Sequence, residues 1–249
     1  MQFIAPYLII PAGNFAVNFH PDHLADLRVS GLTDETIRAA GVYSIRPCDI
    51  ALFFGRRGVP EEVSSALCFP YQGGDFARIK LFAALGKMKY SQPPGTGARL
   101  YAPFTVKPGK IIVAEGEKKV LVGIQSGVNA VGIGGLWNWL RNGEPIADLD
   151  ALAWDAREVT VIPDSDVWQR PDLLRAVYAL GRELQSRDAS VYVAQLPQPG
   201  AAKVGLDDVL VAGGAVGSLE VFALSHRVFR GCDHWHGQWK FQKALQAAA

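Results

Sequence analysis

The sequence predicts an α/β protein, a parallel sheet flanked by helices and preceded by a smaller α+β unit. Three observations carry this. Ile111-Ile112-Val113-Ala114 is a short apolar run bounded by Gly109-Lys110 and Glu115-Gly116, which is the length and β-branched content of a strand covered on both faces. Asn129–Ile133 and Val159–Ile162 have the same character. Between the first two, Val120, Leu121 and Ile124 fall on one helical stripe, and Gly127 is placed to end it. Strands alternating with helices imply right-handed parallel crossovers. In such sheets ligands collect beyond the carboxyl ends of the strands.

Along the chain, Met1–Ala12 is apolar but has no basic flank and is interrupted by Pro6 and Pro11. It is neither a signal peptide nor long enough to span a bilayer, so no membrane partner and a cytoplasmic location are expected. Residues 1–20 read as an N-terminal arm and 21–108 as a basic α+β domain. Within the latter, Pro21–Val42 holds two short helices. Leu24 and Leu27, with Val29 as a further candidate, form the first apolar stripe, which Ser30-Gly31 ends. Thr33 caps the second, Asp34 and Glu35 occupy its first turn, and Gly41 stops it. Ala66–Tyr71 and Phe76–Phe82 read as a hairpin around Gly73-Gly74, with Arg78 and Lys80 on one face by the period of two. A basic loop rich in proline and glycine follows, from Gly86 to Gly97.

Residues 109–215 carry the parallel sheet. After Asp166, Leu173, Val177, Leu180 and Leu184 recur at helical spacing over Pro171–Ser186, and Val191–Leu196 reads as a fourth strand. The loop Pro197–Gly205 leads to Asp207 and Asp208, which either return to the strand ends or cap the short helix ending near Ala212. Residues 216–249 read as a helical tail. His226, Cys232, His234 and His236 accompany Trp235 and Trp239 there, at a spacing that matches no common zinc pattern.

Length and 49% hydrophobic content allow one large or two small domains. The formal net charge of +1 excludes nothing, but its distribution is uneven. Between Asp75 and Lys110 stand Arg78, Lys80, Lys87, Lys89, Arg99, Lys107 and Lys110 against one acid. Between Glu144 and Asp166 seven acids face Arg157 alone. Such blocks suit a polyanion held by one surface and a metal by another, or else two solvated faces. Arg78, Lys80, Lys87 and Lys89 with Tyr90 could grip a single strand, the cations on phosphate and the ring on a base. Three widely spaced cysteines support neither a disulfide framework nor a zinc ribbon. No G-x-x-x-x-G-K-[ST] is present, and Trp137 stands where a dinucleotide fingerprint needs its third glycine.

Glu115, Asp164 and Asp166 sit at strand ends. Three carboxylates meeting there would repel unless a cation lay between them, and hard oxygen ligands favour magnesium or manganese. The plainer alternative is that the two aspartates start a loop. Lys118 and Lys119 fall at a helix N-terminus, where a phosphate would be welcome.

A hydrophobic strand ending in Glu115-Gly116-Glu117-Lys118-Lys119, then a strand ending in Asp164-Ser165-Asp166, resembles the Toprim-like domain of phage and plasmid replication proteins. It is similar to the catalytic core of bacterial DnaG-type primases. Lys89-Tyr90, Pro93-Pro94 and Leu100-Tyr101 upstream, and Lys203-Val204-Gly205-Leu206-Asp207-Asp208 downstream, extend the likeness over about His23 to Ala212. The resemblance implies a Toprim-like (Rossmann-like) sheet and magnesium-dependent nucleotidyl transfer on a single-stranded DNA template. Nucleoside triphosphates would be substrates and a replicative helicase the partner. Glu115, Asp164 and Asp166 would be catalytic and metal-binding, with Asp207 an outer ligand. The chain departs from those primases in lacking their zinc module, and in carrying Lys119 where they place an acid. A non-catalytic nucleic-acid-binding accessory subunit and a metal-dependent nuclease are the rival readings.

Overall fold

The first helices are built by their caps. In a computed structural model of the chain, which describes residues 19–45, 47–54, 59, 61, 63–85 and 88–247, α1 (Pro21–Val29) opens on a proline, and the His20 side chain accepts from the Asp22 N–H. In α2 (Asp34–Ala39) Thr33 accepts from the Thr36 N–H, as its sequence position suggests. Leu24 and Leu27 are buried, whereas Val29 is 78% exposed. At about 100° per residue, Val29 points roughly 160° away from Leu27, so it cannot share that stripe. The expected arm up to residue 18 lies outside the described residues, as does Lys87.

The chain divides into two units, 1–97 with 101–105, and 98–100 with 106–249. In the first, β1 (Tyr43–Ile45), α3 (Pro47–Ile50), β2 (Ser65–Pro70), β3 (Ala77–Leu85) and β4 (Met88–Ser91) follow the two helices. Their sheet is antiparallel throughout, in the order β1-β2-β3-β4. The β2–β3 turn runs through Gly73 and Gly74, both at positive φ. Ile45, Ile50, Phe53, Ala66, Cys68, Ile79 and Leu81 pack one core.

His23 ties α1 to this sheet. Its ring is fully buried, with Nδ1 2.8 Å from Ser44 Oγ and Nε2 2.8 Å from Ser65 Oγ. Its centroid lies 4.1 Å from that of Phe82. Burial, then the neighbouring His20, lowers the His23 pKa to about 4.

In the second unit the elements are β5 (Ile111–Glu115), α4 (Glu117–Gln125), β6 (Ala130–Ile133), β7 (Leu140–Arg141), β8 (Glu144–Pro145), β9 (Glu158–Ile162), α5 (Pro171–Gln185), β10 (Ser190–Gln195), α6 (Leu206–Val211), β11 (Glu220–Ala223) and α7 (Arg230–Ala247). The main sheet has the order β11-β10-β9-β5-β6. Its four strands from β10 to β6 are parallel, and β11 joins antiparallel. The outcome is a mixed α/β fold with a parallel-rich sheet flanked by helices. β11 lies in the stretch read from the sequence as helical tail. It is four residues long at a sheet edge, too short for a period to declare itself. The small β7–β8 hairpin was likewise silent in the sequence.

Strand order opens a crevice. From β5 the chain passes through α4 to β6 on one side, and from β9 through α5 to β10 on the other. The connections after these adjacent strands therefore diverge, leaving a gap at their carboxyl ends. Among the described residues no helix is long and apolar enough to cross a membrane.

Acidification should loosen the first unit through His23. Its folded pKa is depressed, so the unfolded chain binds the proton more readily. Stability is complete above about pH 6.5 and declines as pH falls towards 4, by about 3 kcal/mol at most. Denaturant melts of His23→Gln should lack this slope. A parent-like slope in the variant would assign the titration elsewhere.

Candidate active site

Gly116 makes the turn out of β5. Its φ of 98° is in the left-handed half of the map, and no atom would meet a Cβ there. Backbone conformation rather than space therefore calls for glycine. The turn leaves Glu115 half-buried at the strand end. Burial first, and the charge of Asp164 second, push its carboxyl pKa up, while Lys119 and Lys203 pull the other way.

Asp164 follows Pro163 beyond the end of β9 and is 2% exposed. Lys119 Nζ closes on its Oδ1, and Lys203 Nζ lies 2.5 Å from its Oδ2. Asp166 faces Arg170 at 3.6 Å and Lys203 at 3.9 Å. Its Oδ1 is buried without a hydrogen-bond partner. Two ammonium groups thus stand against Asp164, one from α4 and one from the loop before α6.

Two hydrogen bonds, one of them to the Ser165 side chain, bring that loop in. Ser165 N–H donates to the Val204 carbonyl at 2.9 Å, and Val204 N–H donates to Ser165 Oγ at 2.8 Å. Next to them Gly205 is crowded. A Cβ there would stand 2.6 Å from Asp207 Oδ1, 2.6 Å from Lys119 Cε and 3.4 Å from Asp164 Oδ1. The missing side chain is what lets these three groups converge. Asp208 accepts from the Gly205 N–H at 2.7 Å and caps α6. The two open readings of Asp207-Asp208 are therefore divided between them: Asp207 faces the site and Asp208 caps.

Sequence reasoning had no role for Lys203 or Gly205. Their signal was their position within the Lys203–Asp208 motif, but only the folded-back loop reveals what they touch. Lys118 is half-exposed at the start of α4, one position from the site lysine. In the first unit, the Arg78 guanidinium lies over the Tyr90 ring at 4.7 Å from its centroid, and Lys89 is exposed. Lys80 is in a half-buried ion pair with Asp26 at 2.5 Å, so its charge is already balanced. The charge blocks also cancel in part, because Arg99 pairs with Asp148 at 3.0 Å and Lys110 with Glu158 at 2.9 Å.

Carboxylate oxygens alone suit magnesium or manganese in kind, and the orphaned Asp166 Oδ1 fits such an ion. Among the described residues, however, no three histidines, cysteines or carboxylates stand together as a ready metal cage. Both oxygens of Asp164 are met by lysine.

Residues 107–216 match a family described as a domain of unknown function (DUF3854). No curated protein matches the sequence. Among solved structures the fold is similar to DnaG-type primase catalytic cores. A DNA primase domain from Pseudomonas aeruginosa has a TM-score of 0.60 and 18% identity, with 87% of this chain and 78% of that chain covered. The Aquifex aeolicus primase, comprising zinc-binding and RNA polymerase domains, has a TM-score of 0.55 and 13% identity, with 82% and 57% covered. A DnaG primase catalytic domain bound to single-stranded DNA has a TM-score of 0.53 and 18% identity, with 78% and 68% covered. The chain thus spans little more than half of the Aquifex protein. At these identities the likeness is one of fold.

Removing a cation from buried Asp164 should be costly. Lys119→Met leaves Lys203 as its remaining partner, so the loss should be about 2–3 kcal/mol, below the roughly 3–5 expected when a buried charge is left alone. Adding Asp164→Asn should restore most of it. Urea melts showing Lys119→Met as stable as the parent would mean that the pair does not hold this loop.

Proposed function

We propose that the chain is the core of a primase-type replication protein of a phage or plasmid, performing nucleotidyl transfer on a single-stranded DNA template. The observation that carries this is buried Asp164 paired with Lys119 and Lys203 beyond the carboxyl ends of β5 and β9, with Glu115, Asp166 and Asp207 in the adjoining turns. The primase-like fold supports the same reading. Residues 109–215 would form the Toprim-like domain and 21–108 the template-holding α+β domain, working in the cytoplasm with a replicative helicase.

The chain's own residues account for substrate handling. Lys119 and Lys203 hold Asp164 until a triphosphate offers a denser anion, and then serve as phosphate ligands. Lys118, at the helix N-terminus, adds charge to the same anion. The raised pKa of Glu115 suits it to accept a proton from the attacking 3′-hydroxyl at neutral pH, where an ordinary carboxylate is a weaker base. Once Lys119 and Lys203 turn to phosphate, Asp164 and Asp166, with Glu115 and Asp207, would hold magnesium or manganese, which would supply charge neutralisation on the transferring phosphoryl group. Arg78 and Lys89 would contact the template backbone, with Tyr90 stacked on a base.

The lysine at position 119 and the lysine-held Asp164 favour one rival, a nucleic-acid-binding accessory subunit without catalysis. Incorporation of labelled nucleotides on an oligodeoxynucleotide template, with magnesium or manganese and a replicative helicase, separates the two. The parent should extend primers. Glu115→Gln should bind template like the parent yet turn over about a hundredfold more slowly or worse. A parent that binds template and never incorporates would favour the accessory, and cleavage without synthesis the nuclease.

Template binding should also weaken with salt. Alanine at both Arg78 and Lys89 should flatten the slope of log affinity against log salt by about one unit, at roughly 0.7 per contact on a single strand. An unchanged slope would leave these cations without a role on the strand.

A further inference from the structure

The opposite edge of the same sheet carries a second concentration of charge. β11 runs antiparallel to β10, so its last residue, Ala223, lies across from Tyr192 near the start of β10. That is the amino edge, away from Glu115 and Asp164. Here the last turns of α5 and the first of α7 border an open cavity of about 450 Å³. Arg182 of α5, Arg227 of the segment after β11 and Arg230 of the first turn of α7 line it.

All three arginines are exposed, so water screens their mutual repulsion in part, and an anion among them would relieve the remainder. Within the described residues the chain supplies very little. Among the described residues no salt bridge joins Arg182, Arg227 or Arg230 to a carboxylate; nearby, Arg175 of α5 lies over the Trp235 ring, and Arg187, just past α5, pairs with Asp150 and Glu183. The cavity's one acid is Asp233, which accepts from Tyr178 Oη at 2.8 Å. His226 also lines it, and its Nδ1 accepts from the Val228 N–H. The neutral ring then carries its proton on Nε2, which makes it a further donor. Buried Tyr178 forms part of the wall.

We infer that this cavity is a second anion site, built for the phosphate groups of a nucleotide or of a nucleic-acid strand. Arginine forks match phosphate oxygens two at a time, which lysines do not. The volume is that of small-ligand sites, about 300–1,000 Å³. None of its residues belongs to the carboxylate crevice, so the inference stands whether or not the chain synthesises primers.

Titration calorimetry of the full chain with pyrophosphate tests it. A variant carrying Arg182→Gln, Arg227→Gln and Arg230→Gln should bind about tenfold more weakly or worse, with its near-ultraviolet circular dichroism unchanged. The matching triple lysine variant, which keeps charge but loses the fork, should fall between. Arg227→Glu alone, on an exposed turn, should also weaken binding and serves if the triple variant does not fold. Pyrophosphate bound equally by parent and glutamine variant, or not bound by the parent even at millimolar concentration, would overturn the site. Fluorescence anisotropy with a labelled oligodeoxythymidine distinguishes the sources. Loss of both ligands in the glutamine variant assigns the cavity to strand phosphates, and loss of pyrophosphate alone assigns it to a free nucleotide.

Discussion

A carboxylate as deeply buried as Asp164 is tolerable only beside cations, because the cost of taking its charge out of water has to be offset by close opposite charge. Lys119 and Lys203 meet that need from two different elements. Much of the crevice follows from it. The loop ahead of α6 must fold back to deliver Lys203, Ser165 and Val204 exchange hydrogen bonds to hold it there, and Gly205 must be bare so that Lys119 and Asp207 can close around Asp164.

The sheet beneath determines where that competition happens. Parallel strands leave their carboxyl ends on one edge, and the reversal between β5 and β9 opens a gap there, with Glu115 at the end of β5 and Asp164 just beyond β9. The amino edge is used differently. β11 closes the sheet antiparallel, and the chain after it returns against α5 to build the arginine-lined cavity. One sheet therefore presents a mixed carboxylate and ammonium site at one edge and a guanidinium site at the other.

In the first unit, polar burial is settled locally. His23 fills its two ring nitrogens with Ser44 and Ser65 and so remains neutral, while Lys80 takes Asp26. Neither pairing follows from sequence spacing, since each partner is brought in by a different strand or helix. A run of basic residues in sequence consequently overstates the charge a surface can offer.

The chain's local chemistry was readable without coordinates. Apolar runs of strand length marked β5, β6, β9 and β10, a 3.6-residue period marked α5, and the Thr33 cap and the Gly73-Gly74 turn declared themselves, because each depends on neighbours along the chain. The placing of Glu115 at the end of β5, and of Asp164 and Asp166 in the turn just beyond β9, was legible for the same reason. Strand order, the antiparallel edge β11, the division of labour between Asp207 and Asp208, and the cations that hold Asp164 were decided only by the tertiary structure. Each depends on residues far apart in sequence, as Lys119 and Lys203 are from Asp164, and no periodicity records which distant side chain will neutralise a buried charge.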